Sequence, residues 1–316
     1  MNDTPIHISA ADAYPLKGRL WRHPGAAEAG RPLVIINPAT SVRSDYYARF
    51  AAYLHAQGFD VISYDYRGIG HSRPASLRGF EASWLDWGRL DFDAVLRWAA
   101  THCPGQPLQV VAHSVGGFLI GLAPSNHLLT RVFSMGAQYA YWRDYASHRR
   151  LSMLLKWHAL MPALSSLLGY FPGKRLGWME DTPRGVVRDW THPGARFEDA
   201  YRRGPQAMPR AERAALVQGF ANLRADTLAL SVSDDEFGTR DAIQRLLAYY
   251  SNSQRCHLRL SPQALGCARI GHFAFFHSRF ESSLWPIALR WLRDGEVDAE
   301  LARFIVSDSP PRHPAA

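Results

Sequence analysis

Cysteine is scarce in this sequence: Cys103, Cys256 and Cys267 are the only three in 316 residues. Three scattered thiols make neither a disulfide framework nor a zinc site, and they fit a reducing, cytoplasmic setting. Long apolar runs are also missing, and no stretch approaches the ~18 apolar residues of a membrane span. The opening residues Met1–Asp12 carry acidic and polar side chains without an apolar run, which argues against a signal peptide. There is no internal repeat and no low-complexity tract. The formal net charge of +8 comes almost wholly from dispersed arginines, with no basic block. That pattern argues against a nucleic-acid module. What is present is an ordinary globular composition, 47% hydrophobic and 20% charged, long enough for one large domain or a domain with an insertion.

Short β-like runs alternate with helical patterns, which argues for an α/β fold with a mostly parallel sheet flanked by helices. Ile6–Ser9 and Leu16–Trp21 form a weak antiparallel start. Pro32–Asn37, Val61–Tyr64, Leu108–Ala112 and Arg131–Met135 read as buried strands. Tyr47, Phe50, Ala51 and Leu54 recur at helical spacing, as do Phe92, Val95, Leu96 and Ala99. From 141 to 225 the alternation stops, and Pro162, Pro172, Pro183, Pro193 and Pro205 punctuate a Trp-, Tyr-, Leu- and Arg-rich stretch. It resumes with Thr227–Ser231, a helix bearing Ile243, Leu246, Leu247 and Tyr250, a strand at His257–Leu260 and a last helix near Ser283. The expected organisation is a core over 1–140, a helical insertion over 141–225, the rest of the core over 226–306 and a disordered tail over 307–316.

Ala112-His113-Ser114-Val115-Gly116-Gly117 falls between a strand and a helix. It resembles the G-x-S-x-G nucleophile elbow of the α/β-hydrolase family, with Ala112 at the first glycine position. A sharp turn there projects the serine oxygen into a cleft, and small neighbours let the backbones approach. Asp65-Tyr66-Arg67-Gly68-Ile69-Gly70-His71-Ser72 resembles a loop common in the family, in which Asp65 and Arg67 brace the turn. The resemblance covers the core from about residue 30 to 295. It implies an α/β-hydrolase fold with an eight-stranded sheet and a helical lid insertion. Trp84-Leu85-Asp86-Trp87 and Gly169-Tyr170-Phe171-Pro172-Gly173-Lys174 are similar to a bacterial branch related to serine aminopeptidases and monoacylglycerol lipases.

A serine hydroxyl needs a base to take its proton and an acid to orient that base. The resemblance implies the order serine, acid, histidine. Ser233-Asp234-Asp235-Glu236 follows the strand at 227–231, and Gly271-His272-Phe273 follows the strand at 257–260. The expected catalytic set is Ser114, Asp235 and His272. Asp234 is the alternative acid, whereas Glu236 would have to fold back. His113 reads as structural. For the oxyanion hole the expected donors are the N–H groups of Val115 and Ala39, with Thr40 behind, since Pro38 has no N–H.

In this fold the insertion lies over the nucleophile. Its aromatic side chains favour an apolar acyl or alkyl group, and Tyr139, Trp142 and Phe273 are the candidate substrate contacts. The arginines at 143, 149, 150 and 175 read as a solvated face, with a substrate carboxylate or phosphate as their other use. The expected activity is hydrolysis of a small ester through an acyl-enzyme, without metal or organic cofactor and without nucleic acid or a membrane span. The same triad could serve a peptidase, thioesterase or acyltransferase, and the fold also has non-catalytic ligand binders.

Overall fold

The computed structural model describes residues 3–25, 30–192, 194–204 and 206–308. Pro193, Pro205 and residues 309–316 of the expected tail lie outside the described residues.

Six strands precede the insertion: β1 (Asp3–Ser9), β2 (Pro15–Trp21), β3 (Leu33–Asn37), β4 (Asp60–Tyr64), β5 (Leu108–His113) and β6 (Leu129–Met135). Within it, β7 (Tyr170–Phe171) and β8 (Thr182–Pro183) pair as a small antiparallel ribbon that the sequence pattern does not announce. After it come β9 (Asp226–Val232), β10 (Arg255–Leu260) and β11 (Ile305–Asp308). The main sheet runs β1-β2-β4-β3-β5-β6-β9-β10-β11. Its centre, from β4 to β10, is parallel, and an antiparallel strand closes the far edge.

Among the described residues the main sheet has nine strands where eight are expected. The ninth is β11, drawn partly from the segment expected as a tail: Leu258 pairs with Ile305 and His257 with Ser307. The β-branched pair Ile305-Val306 suits an extended edge, and covering β10 removes an open row of backbone donors and acceptors.

The central strands are almost entirely buried because both faces are covered. One layer, built on Tyr47, Phe50, Phe275 and Trp285, packs against Val34, Ile36, Val111 and Leu230. The opposite layer takes Ile35, Ile62 and Val110 against Phe92, Leu96 and Phe118 and continues into the insertion through Trp157, Phe171 and Trp190. Arg67 in the Asp65–Ser72 loop donates to buried Asp91 (2.7 Å) and to Asp12 (2.6 Å), so this loop has the bracing role expected of it.

Register decides what meets at the sheet's upper edge. Asn37 lies opposite Ala112, Ala112 opposite Ser134, and Met135 opposite Leu230. The loops leaving β3, β5, β6, β9 and β10 therefore converge at their carboxyl ends, where ligands bind in open α/β sheets. Over this edge lies the insertion, whose helix Arg150–Leu168 runs unbroken for 19 residues. By length and composition it reaches the limits of a membrane span, which the sequence pattern does not anticipate, because Pro162 reads as an interruption. Pro162 is instead accommodated inside the helix, just after a π-helical stretch at Leu154–Leu160. Only 22% of this helix is buried, with Met153, Trp157 and Met161 turned inward.

Candidate active site

β5 ends at His113, and the helix Val115–Leu122 starts two residues later. The reversal puts Ser114 at φ 54°, ψ −124°, a conformation that costs of order 1–3 kcal/mol outside glycine. Neighbouring contacts hold it there. Ser114 N–H donates to the Met135 carbonyl at 3.0 Å, and the Ser114 carbonyl accepts from Gly117 N–H at 3.0 Å. Gly116 is required by proximity, since a Cβ there would stand 2.5 Å from the Asn37 carbonyl oxygen.

His272 and Asp235 meet beside this turn. His272 Nδ1 lies 2.7 Å from Asp235 Oδ2, and Asp235 Oδ1 accepts the N–H groups of Phe237 and Gly238, each at 2.8 Å. Burial works to raise the Asp235 carboxyl. The adjoining His272 ring and the two N–H donors outweigh it and hold the group below the ordinary carboxylate range. A carboxylate at Nδ1 puts the ring proton on that nitrogen and leaves Nε2 as an acceptor. Asp234 does something else: its Oδ2 accepts Ile270 N–H at 2.9 Å, bracing the loop that carries His272. Glu236 reaches the cleft but pairs with Arg149 at 3.4 Å.

Gly136, at the end of β6, is what lets these groups approach. It has φ +59°, and a Cβ would lie 2.9 Å from Asp235 Oδ2 and 3.0 Å from His272 Nδ1. Two residues on, Gln138 Nε2 donates to Ser114 Oγ at 3.3 Å, while its Oε1 accepts from Ala140 N–H. No hydrogen bond joins Ser114 Oγ to His272 in this structure, so the serine is held from the Gln138 side.

The expected oxyanion donor Ala39 is otherwise engaged: its N–H donates to the buried Tyr47 Oη at 2.9 Å. The Tyr47 hydroxyl must then donate to His113 Nδ1 (2.8 Å), and His113 Nε2–H to the His272 carbonyl (2.9 Å). Burial, reinforced by the nearby His272, pushes His113 down to about 3, so its ring stays neutral and this relay keeps one direction. Ala39 is thereby tied through Tyr47 and His113 to the His272 loop. The N–H groups of Thr40 and Val115 find no acceptor among the described residues, and both residues line the cleft.

The cleft is a cavity of about 390 Å³ with Ser114, Val115, Gln138 and His272 on its floor. Trp84, Trp157, Trp178, Trp190, Met153, Met179 and Phe237 supply most of its walls. Trp157 and Trp190 stack with ring centres 5.1 Å apart, and Phe237 packs on His272 at 5.0 Å. Of the candidate substrate contacts, Phe273 lines the cleft, whereas Tyr139 and Trp142 do not. Tyr139 is buried against Phe118 and Phe197 with its hydroxyl on the Ala195 carbonyl (2.7 Å), because the chain turns away at Ala140, φ 60°. Trp142 carries Arg143 over its ring outside the cavity.

Gln138, Gly136 and Tyr47 have roles here that the sequence pattern does not expose. A polar residue and a glycine just past a buried strand are the only signal for the first two. Among the described residues no group of three or more His, Cys, Asp or Glu is placed to hold a metal ion.

Residues 29–164 match the serine aminopeptidase S33 family, under half of the chain. No curated protein matches the sequence. Among solved structures, an esterase of Pyrococcus furiosus superposes with a TM-score of 0.57 at 14% identity, covering 92% of this chain and 91% of that one. Rv0554 from Mycobacterium tuberculosis gives 0.53 at 18% identity, over 93% and 100%. A thioesterase domain from the curacin biosynthetic pathway gives 0.51 at 13% identity, over 91% and 99%.

Proposed function

The chain has the α/β-hydrolase fold, and from that premise we propose that it is a serine hydrolase that cleaves small esters through an acyl-enzyme. The observation that carries the reading is the Asp235–His272 bond of 2.7 Å beside a serine held at positive φ on a cleft floor. Ser114 Oγ attacks the ester carbonyl while His272 Nε2 takes its proton. Asp235 keeps the imidazolium oriented and neutralises part of its charge. Val115 N–H, at a helix N-terminus, and Thr40 N–H stabilise the oxyanion; Thr40 replaces Ala39 in this role because of Tyr47. His272 then returns the proton to the leaving alkoxide, and water repeats the sequence on the acyl-enzyme.

The tryptophan-lined walls support a largely apolar acyl or alkyl group, and the helical segment above the cleft acts as its lid. An esterase and a thioesterase among the similar folds fit small-molecule substrates of this class. A cytoplasmic location rests on the three scattered cysteines alone.

Hydrolysis of p-nitrophenyl esters of graded chain length tests the proposal. Ser114→Ala is expected to lower kcat by a factor on the order of 10⁴ or more without changing the fold. A variant that keeps most of the activity would refute the assignment.

A further inference from the structure

Among the described residues, the cleft walls carry one cation with no ion-pair partner. The helix Arg150–Leu168 and the residue before it present Arg149, Ser152, Met153, Lys156 and Trp157 to the cavity. Arg149 has a carboxylate partner in Glu236. Lys156 has none: among the described residues no carboxylate lies within ion-pair distance and no acceptor bonds its ammonium. Its Nζ instead rests 3.8 Å from the Trp178 ring centre and 4.4 Å from that of Trp157. Two indole faces hold the cation by its charge but leave all three N–H donors unused. Burial pulls the Lys156 ammonium below its ordinary value, with Arg149 adding to that and Glu236 opposing it. The charged side chains that line the cavity are thus two cations, Arg149 and Lys156, and one carboxylate, Glu236, which Arg149 already engages.

Resting on the hydrolase reading of the same site, we propose that the substrate is an ester bearing a carboxylate remote from the scissile bond, bound by Lys156. The carboxylate would complete the hydrogen bonding that the indoles cannot offer, while the intervening methylenes lie on the tryptophans. A charge-assisted bond of this kind in a partly desolvated pocket is worth roughly 10- to 100-fold in binding.

The test compares two ester series at low salt. One carries the charge on the acyl side: mono-p-nitrophenyl esters of succinate, glutarate, adipate and suberate against neutral esters of equal length. The other carries it on the alcohol side: acetyl esters of ω-hydroxyalkanoates against alkyl acetates. The proposal expects an anionic ester of one series to exceed its neutral counterpart in kcat/KM by roughly 10- to 100-fold. That preference should survive in Lys156→Arg and shrink to within about twofold in Lys156→Met, which keeps apolar contact with both indoles. Preference for the neutral ester in both series, or an anionic preference unchanged in Lys156→Met, would overturn it. Calorimetric titration of Ser114→Ala with monomethyl adipate and with methyl hexanoate separates this inference from the hydrolase reading. Tighter binding of the adipate, lost on adding Lys156→Met, upholds the carboxylate site even in a protein that turns over no ester. Equal binding of the two overturns it even in an active esterase.

Discussion

The two sides of the cleft are built on different physics. On the sheet side, polar groups are held by hydrogen bonds to backbone or to one another: Asp235 by two N–H donors, Asp234 by Ile270 and His113 by Tyr47 and His272. On the insertion side the wall is mostly aromatic, with Trp157 packed on Trp178 and Trp190, and Trp157 and Trp190 both packed on Phe237. Hydrogen bonds are directional and fix atoms; ring packing fixes shape and tolerates variation. The sheet side can thus hold reacting groups in place while the insertion side selects what reaches them. Phe237 joins the two, giving its N–H to Asp235 and its ring to Trp157 and His272.

Changes on the sheet side should cost turnover for every substrate. Asp235→Asn, which frees the wrong tautomer of His272, is expected to lower kcat by about 10⁴, while Asp234→Asn should stay within a few-fold. Steady-state kinetics on one short ester distinguishes them, and equal losses would return the acid role to doubt between the two. Gly136→Ala should cost about 10²-fold, because its methyl enters the space between Asp235 and His272.

Much of this division was legible in the residues, and the limits have physical causes. Ser114, Asp235 and His272 each follow a buried strand, in the order that the resemblance to the α/β-hydrolase family implies. The engagement of the Ala39 N–H is not legible in the sequence, because its fate depends on Tyr47, whose hydroxyl returns from a helix eight residues later. Gly136 and Gln138 matter only through the register that sets β6 beside β5 and β9. Tyr139 and Trp142 look like cleft residues by composition, yet the turn at Ala140 sends them elsewhere, a matter of backbone direction that an aromatic count does not carry. Ile305–Asp308 gave too short a run to stand out from a tail.

Smaller effects sharpen the contrast. Tyr47→Phe leaves Ala39 N–H and His113 Nδ1 without partners, at a cost of about 1–3 kcal/mol in stability and about tenfold in kcat, with KM little changed. Denaturant melts and kinetics on the same preparation check both parts. On the other wall, Trp157→Ala should lower kcat/KM for hexanoyl esters about tenfold and leave acetyl esters nearly untouched, since only the longer chain uses the lost surface. A uniform loss across chain lengths would place Trp157 with the sheet-side groups instead.

The smallest expected effect lies where the insertion meets the core. Asp189 is buried with Trp84 N–H on its carboxylate at 2.7 Å, and burial pushes it up to about 7, with that bond and Arg188 acting the other way. A carboxyl raised in the folded state contributes stability at low pH that is lost as pH rises from its unfolded value toward 7. Asp189→Asn keeps an acceptor for Trp84 and carries no charge. Its melting temperature should exceed that of the wild type by more at pH 8 than at pH 5, and an equal difference at both would show that the carboxyl does not titrate in this window.

The central claim is that the sheet side activates Ser114, and a fluorophosphonate probe read by intact mass tests it most directly. The account predicts a single adduct on the wild-type protein and none on Ser114→Ala. No adduct on well-folded wild-type protein, or an adduct that persists in Ser114→Ala, would contradict it.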